Sequence, residues 1–219
     1  MLNFTEVQYL GLFGIIALAY TATVMVPGPD FACIMRNTLS DSRRSGIFAA
    51  LGVTTGMCFH LSYSIPSAIW LHSQPILMFI AKIAGGLYLC YLGCSSVIKA
   101  KAKKITNLTS HQQQKKPNLT RLKAFRSGFF TNAMNPMVMI FFVGLFTTQI
   151  EHTTPNSILA LLGTEVLLIA LTWFVLVAVF FSQPAVHSIF LRLGHWVERV
   201  TGGVLIALGF RVALQVIPY

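Results

Sequence analysis

Six stretches of this 219-residue chain are each apolar over the length a helix needs to cross a bilayer, and most Lys and Arg fall in the joins between them. A hydrocarbon core about 30 Å thick takes about 20 helical residues. The stretches run Val7 to Val26, Gly46 to Leu71, Pro75 to Ile98, Phe125 to Ile150, Ser157 to Phe181 and Val197 to Ile217. Only 10% of the residues are charged and 55% are hydrophobic, whereas a soluble domain carries roughly 25% charged residues. So few charges do not coat a water-soluble globule of this size, and lipid removes the need for a polar coat. The expected fold class is an all-α integral membrane protein with six transmembrane helices.

The formal net charge is +10, which by itself suits a nucleic-acid partner. Its placement argues for topology instead, and no nucleic acid is expected. The first join holds Arg36, Arg43 and Arg44. The third holds Lys99, Lys101, Lys103, Lys104, Lys115, Lys116, Arg121, Lys123 and Arg126, and the fifth holds Arg192. The N-terminus and the even joins hold none. Basic residues mark the cytoplasmic side, so the odd joins are expected in the cytoplasm and both termini in the periplasm. The start, Met1 to Glu6, has no positive flank ahead of its apolar run, so the first stretch is expected to stay as a span rather than leave as a signal peptide. Asn107-Leu-Thr and Asn118-Leu-Thr match the glycosylation pattern but fall on the side where it does not operate.

The long third join contains Gln112 to Gln114 and Pro117 and no acid, which reads as a solvated linker. It divides the chain into a first three-span repeat (1–104), a basic cytoplasmic linker (105–124) and a second three-span repeat (125–219). Three spans is an odd number, so the halves enter the membrane from opposite sides, the plan of two inverted repeats. Spans 1 and 4 are each broken by proline, at Pro27-Gly28-Pro29-Asp30 and at Asn135-Pro136. Lys82-Ile-Ala-Gly-Gly in span three also resembles Arg199-Val-Thr-Gly-Gly in span six, each followed by a further glycine, Gly93 and Gly209.

These breaks hold the candidate site. Pro27 and Pro29 remove backbone donors, and a lipid-exposed helix does not tolerate that, so protein or a water-lined cavity must surround the break. A helix restarting near Phe31 presents its positive dipole end to an anion such as a carboxylate. Asp30 is costly inside a membrane. It is a candidate to hold a proton or a substrate ammonium, or to cap the restarted helix. Asn135 offers acceptor and donors beside the kink at Pro136, with Thr131 and Asn132 one turn earlier. The candidate substrate-binding set is therefore Pro27, Gly28, Pro29, Asp30, Asn132, Asn135 and Pro136. Asp30, Glu165 and Lys82 are the candidates for proton coupling, being charges well inside spans; Lys82 alternatively snorkels to the interface. His60 reads either as a titrating group or as a hydrogen-bonded packing residue. Gly52 and Gly56 form a small-residue surface for close helix contact, within the protein or across a homodimer.

No metal site or cofactor is expected. Cys33, Cys58, Cys90 and Cys94 lie in or beside apolar stretches, without zinc or disulfide-framework spacing. There is no Gly-x-Ser-x-Gly elbow, no His-Glu-x-x-His and no phosphate-binding loop. An enzyme or ATP-driven pump is not expected, and the energy for transport must come from a gradient or a partner.

Val26-Pro27-Gly28-Pro29-Asp30-Phe31, the Gly46 to Gly56 region, Lys82 to Gly93 and Gly128 to Pro136 together resemble the LysE/RhtB-type amino-acid exporters. Met137 follows Pro136 where that family often carries Lys, so any role of that Lys is absent here. The resemblance implies a bacterial inner-membrane secondary transporter that exports amino acids or close derivatives, threonine- or homoserine-like, on the proton gradient. Two alternatives stand beside it: a membrane thiol-disulfide electron carrier, because distantly related six-span proteins place cysteines at such breaks, and a passive amino-acid channel.

Overall fold

The computed structural model describes residues 4–102 and 120–214. Most of the expected linker, with its glutamines and both glycosylation patterns, lies outside the described residues. The described chain is all helix, with no strand: α1 (Phe4–Met25), α2 (Pro29–Ser40), α3 (Arg43–His72), α4 (Pro75–Ala102), α5 (Arg121–Ala133), α6 (Pro136–Gln149), α7 (Asn156–Phe180) and α8 (Pro184–Leu214). By length and composition four segments can cross a membrane: Gln8–Met25, Arg43–His72, Pro75–Ile98 and Asn156–Phe180. The α5–α6 pair, bent by 55°, makes a fifth. Large apolar side chains such as Leu18, Phe79, Leu87, Leu168 and Phe210 are more than half exposed. That outer surface suits hydrocarbon and would be a liability in water.

Several helices outrun the apolar stretches that mark them. α8 begins at Pro184, well before Val197, and α3 begins at Arg43, where the Ser42 side chain accepts from the Ser45 N–H at 3.2 Å. An apolar window registers hydrocarbon, not helix, so it misses polar first turns. Proline is well suited to opening α2, α4, α6 and α8, because the N–H it lacks has no intrahelical partner there.

Two seams of glycine set the packing. α3 lies against α5 at backbone contact: a Cβ on Gly52 would collide with the Phe125 carbonyl, and one on Gly128 with the Ala49 carbonyl. Gly56 continues the seam, where a Cβ would come within 3.0 Å of the Phe129 carbonyl and 2.9 Å of Asn132 Oδ1. α5 of the same chain thus covers the Gly52/Gly56 surface. α4 and α8 pair antiparallel in the same manner. A Cβ on Gly209 would lie 2.6 Å from the Gly86 carbonyl, and one on Gly202 2.7 Å from the Gly93 carbonyl. The core between these pairs is aromatic, with Phe141, Phe142, Phe146 and Phe174 almost wholly enclosed.

Candidate functional site

α1 stops at Met25 because Pro27 and Pro29 follow it, and α2 opens with Gly28 as its N-cap and Pro29 in its first turn. The second half does likewise. α5 ends at Ala133, Asn135 caps α6, and Pro136 stands in the first turn. The Asn135 Oδ1 accepts from the Met137 N–H at 3.0 Å. That bond commits part of the Asn135 amide to structure.

Asp30 sits in the first turn of α2 and is 8% exposed. It does not cap the helix through a side-chain hydrogen bond. Instead its Oδ2 accepts from Asn132 Nδ2 of α5 at 2.9 Å. Its Oδ1 has no hydrogen-bond partner among the described residues. A buried carboxylate with one oxygen unmet is destabilising unless a cation or proton visits it.

Asn132 is fully buried and is held from a third element. Its carbonyl accepts from the Asn135 N–H at 2.8 Å and from His60 Nε2 of α3 at 2.9 Å. A carbonyl only accepts, so Nε2 carries the hydrogen. In the neutral ring Nδ1 then accepts from the Tyr63 hydroxyl. His60 is therefore a satisfied, buried residue that fixes the α5–α6 break. Its replacement by Leu should cost about 1–2 kcal/mol for the lost bonds. A lower melting temperature in detergent would show this, and His60→Gln, which keeps a donor, should recover part of it.

Gly28, Pro29, Asp30 and Asn135 all line one partly open cavity of about 110 Å³. Both halves of the chain contribute: Tyr20 and Met57 from the first, Phe142, Phe174 and Leu205 from the second. The Tyr20 hydroxyl donates to Met57 Sδ at 2.8 Å. The N-terminal ends of α2 and α6 meet at the wall, and two positive helix dipole ends favour negative charge there.

Pro27 and Pro136 flank the cavity in sequence without lining it, and Asn132 reaches it through Asp30. Glu165 on α7 and Lys82 on α4 are half-buried and stand outside the lining. Among the described residues no ion pair joins Lys82 to Asp30 or Glu165; Asn132 occupies the place of a partner to Asp30. The Glu165 Oε2 is buried without a hydrogen bond among the described residues. Tyr20, Met57 and Phe142 were not singled out from the sequence. A tyrosine inside the apolar first stretch was the available signal, while the other two are indistinguishable from ordinary core.

A model of the LysE type translocators matches residues 9–216. The chain belongs to that family. As a LysE type translocator with several helices able to cross a membrane, it is a multi-pass membrane protein. It is similar to the threonine efflux protein of Escherichia coli K12, 27% identical over 217 residues that cover 94% of this chain and 99% of the relative. The threonine efflux protein of Salmonella typhi is 27% identical over 220 residues, with the same coverage. An uncharacterized membrane protein of E. coli, YahN, is 24% identical over 197 residues, 90% of this chain and 86% of the relative. No solved structure matches this translocator.

Proposed function

We propose that this translocator is a secondary transporter of the bacterial inner membrane that exports amino acids or close derivatives, driven by the proton gradient. The relatives named for threonine efflux make threonine the first substrate to try, with the chemically similar homoserine beside it. The observation that carries this reading is the cavity where two proline-opened helix ends face one buried carboxylate with a free oxygen. A zwitterion needs both features: a negative pole for its ammonium and a positive one for its carboxylate.

In this reading α8 is the sixth span, both termini are periplasmic, and the chain is two inverted three-span repeats that rock against each other around the cavity. The antiparallel glycine pairing of α4 with α8, the third helical span of each half, supports it. Asp30 is the first-choice coupling residue. Glu165, with its unpartnered oxygen, is the second acid to test, and Lys82 the third charge.

The test is uptake of labelled amino acids into inside-out vesicles energised to an acidic lumen. Accumulation that collapses with an uncoupler is expected; flux indifferent to the uncoupler would instead mean a passive channel. None of the four cysteines lines the cavity, and all are free thiols. Replacing Cys33, Cys58, Cys90 and Cys94 together by Ser should leave accumulation within about twofold of wild type. Loss of flux together with a changed thiol redox state would favour the electron carrier.

A further inference from the structure

The same cavity also limits the side chain of its cargo. This step rests on the exporter reading above. Among the described residues its lining contains no Lys, Arg or His and no acid besides Asp30. Most of its other polar groups are already engaged with the protein. The Thr23 hydroxyl donates to the Ala19 carbonyl at 2.9 Å, the Tyr20 hydroxyl to Met57 Sδ, and Asn135 Oδ1 caps α6. Ser96 adds one more hydroxyl. Met57, Leu92, Val138, Phe142, Phe174 and Leu205 supply much of the remaining surface.

We infer that the cargo is a monoamino, monocarboxylic acid with a hydrocarbon or thioether side chain, rather than a hydroxylated, basic or acidic one. The free Asp30 oxygen takes one ammonium. The α2 and α6 ends take the one carboxylate, leaving the apolar wall to meet the side chain. A second ammonium or carboxylate would be buried without a counter-charge, a penalty larger than any contact it gains. A side-chain hydroxyl gives up its water for a wall with few unengaged polar groups. Each added methylene gains instead, since one methylene in an apolar pocket discriminates by about tenfold or more.

Purified protein in liposomes, preloaded for exchange with labelled leucine in one set and labelled threonine in another, decides the matter by competition with unlabelled amino acids. Valine, leucine and methionine are expected to compete at least about tenfold better than threonine or homoserine, with lysine and glutamate inert. Threonine or homoserine competing as well as leucine would overturn the side-chain assignment while leaving the exporter standing. Exchange of neither label by protein that elutes as a monodisperse, folded species would defeat both. Met57→Gln, close to isosteric, puts a hydrogen-bonding amide in the wall. It should move the leucine-to-threonine ratio at least about fivefold toward threonine, and an unmoved ratio would show that this wall does not read the side chain.

Discussion

Asp30→Asn is expected to cut gradient-driven accumulation by about two orders of magnitude. Removing one member of a buried charge pair costs about 2–5 kcal/mol, a factor of roughly 30 to several thousand. Asp30 lines the cavity and its Oδ1 has no hydrogen-bond partner among the described residues, so a substrate ammonium or a proton is the cation expected to meet it. The replacement amide keeps the size of the side chain, and its oxygen still accepts from Asn132. Folding should therefore survive, and the loss should be confined to transport. Exchange without a gradient separates the two jobs of the carboxylate. Lost accumulation with retained exchange would assign Asp30 to the proton, and loss of both would assign it to the substrate. Accumulation at the wild-type level would remove Asp30 from the mechanism.

Gly52→Val should abolish folded protein altogether. A Cβ there lands on the Phe125 carbonyl and 2.8 Å from the Phe129 backbone nitrogen. Overpacking a core usually costs about 1–3 kcal/mol because side chains can shift. Here the obstacle is backbone on a neighbouring helix, so the cost should reach the upper end of what single substitutions do, about 4 kcal/mol or more. Gly128→Val meets the Ala49 carbonyl from the other side and should fail alike. Gly203→Ala is the control: among the described residues nothing lies within 4 Å of a Cβ there, and alanine is the better helix former by about 1 kcal/mol. Detergent-extracted yield and melting temperature distinguish these outcomes. A Gly52→Val protein that melts like wild type would mean that α3 and α5 do not touch as described.

Much of this architecture is visible in the sequence because lipid imposes one simple demand, a run of apolar residues long enough to cross. The breaks were visible because proline in such a run is conspicuous, and Asp30 because a charge there is expensive. Partners were not visible. The bond from Asp30 to Asn132 spans 102 positions, and nothing local tells an asparagine that its carboxylate lies on α2. Lys82, which the sequence offers as a coupling charge, stands outside the cavity. The glycines show the same limit. Gly52 and Gly56 announced close contact without saying with what, and α5 of the same chain proved to be the answer. Of the two like motifs Lys82-Ile-Ala-Gly-Gly and Arg199-Val-Thr-Gly-Gly, Gly86 and Gly202 stand in the α4–α8 seam, whereas Gly85 meets Gly144 of α6 and Gly203 meets nothing among the described residues.

The glycine seam between α3 and α5 has a consequence for how the protein tolerates change. Asn132 rides on α5, and at Gly52 and Gly128 the distance from α5 to α3 is set by main-chain atoms in contact rather than by side chains that could be traded for smaller or larger ones. The carboxylate clasp beside it thus inherits a fixed ruler. Divergence can accumulate on the oily exterior with little effect, whereas a single added methyl along that ruler would be felt at the carboxylate.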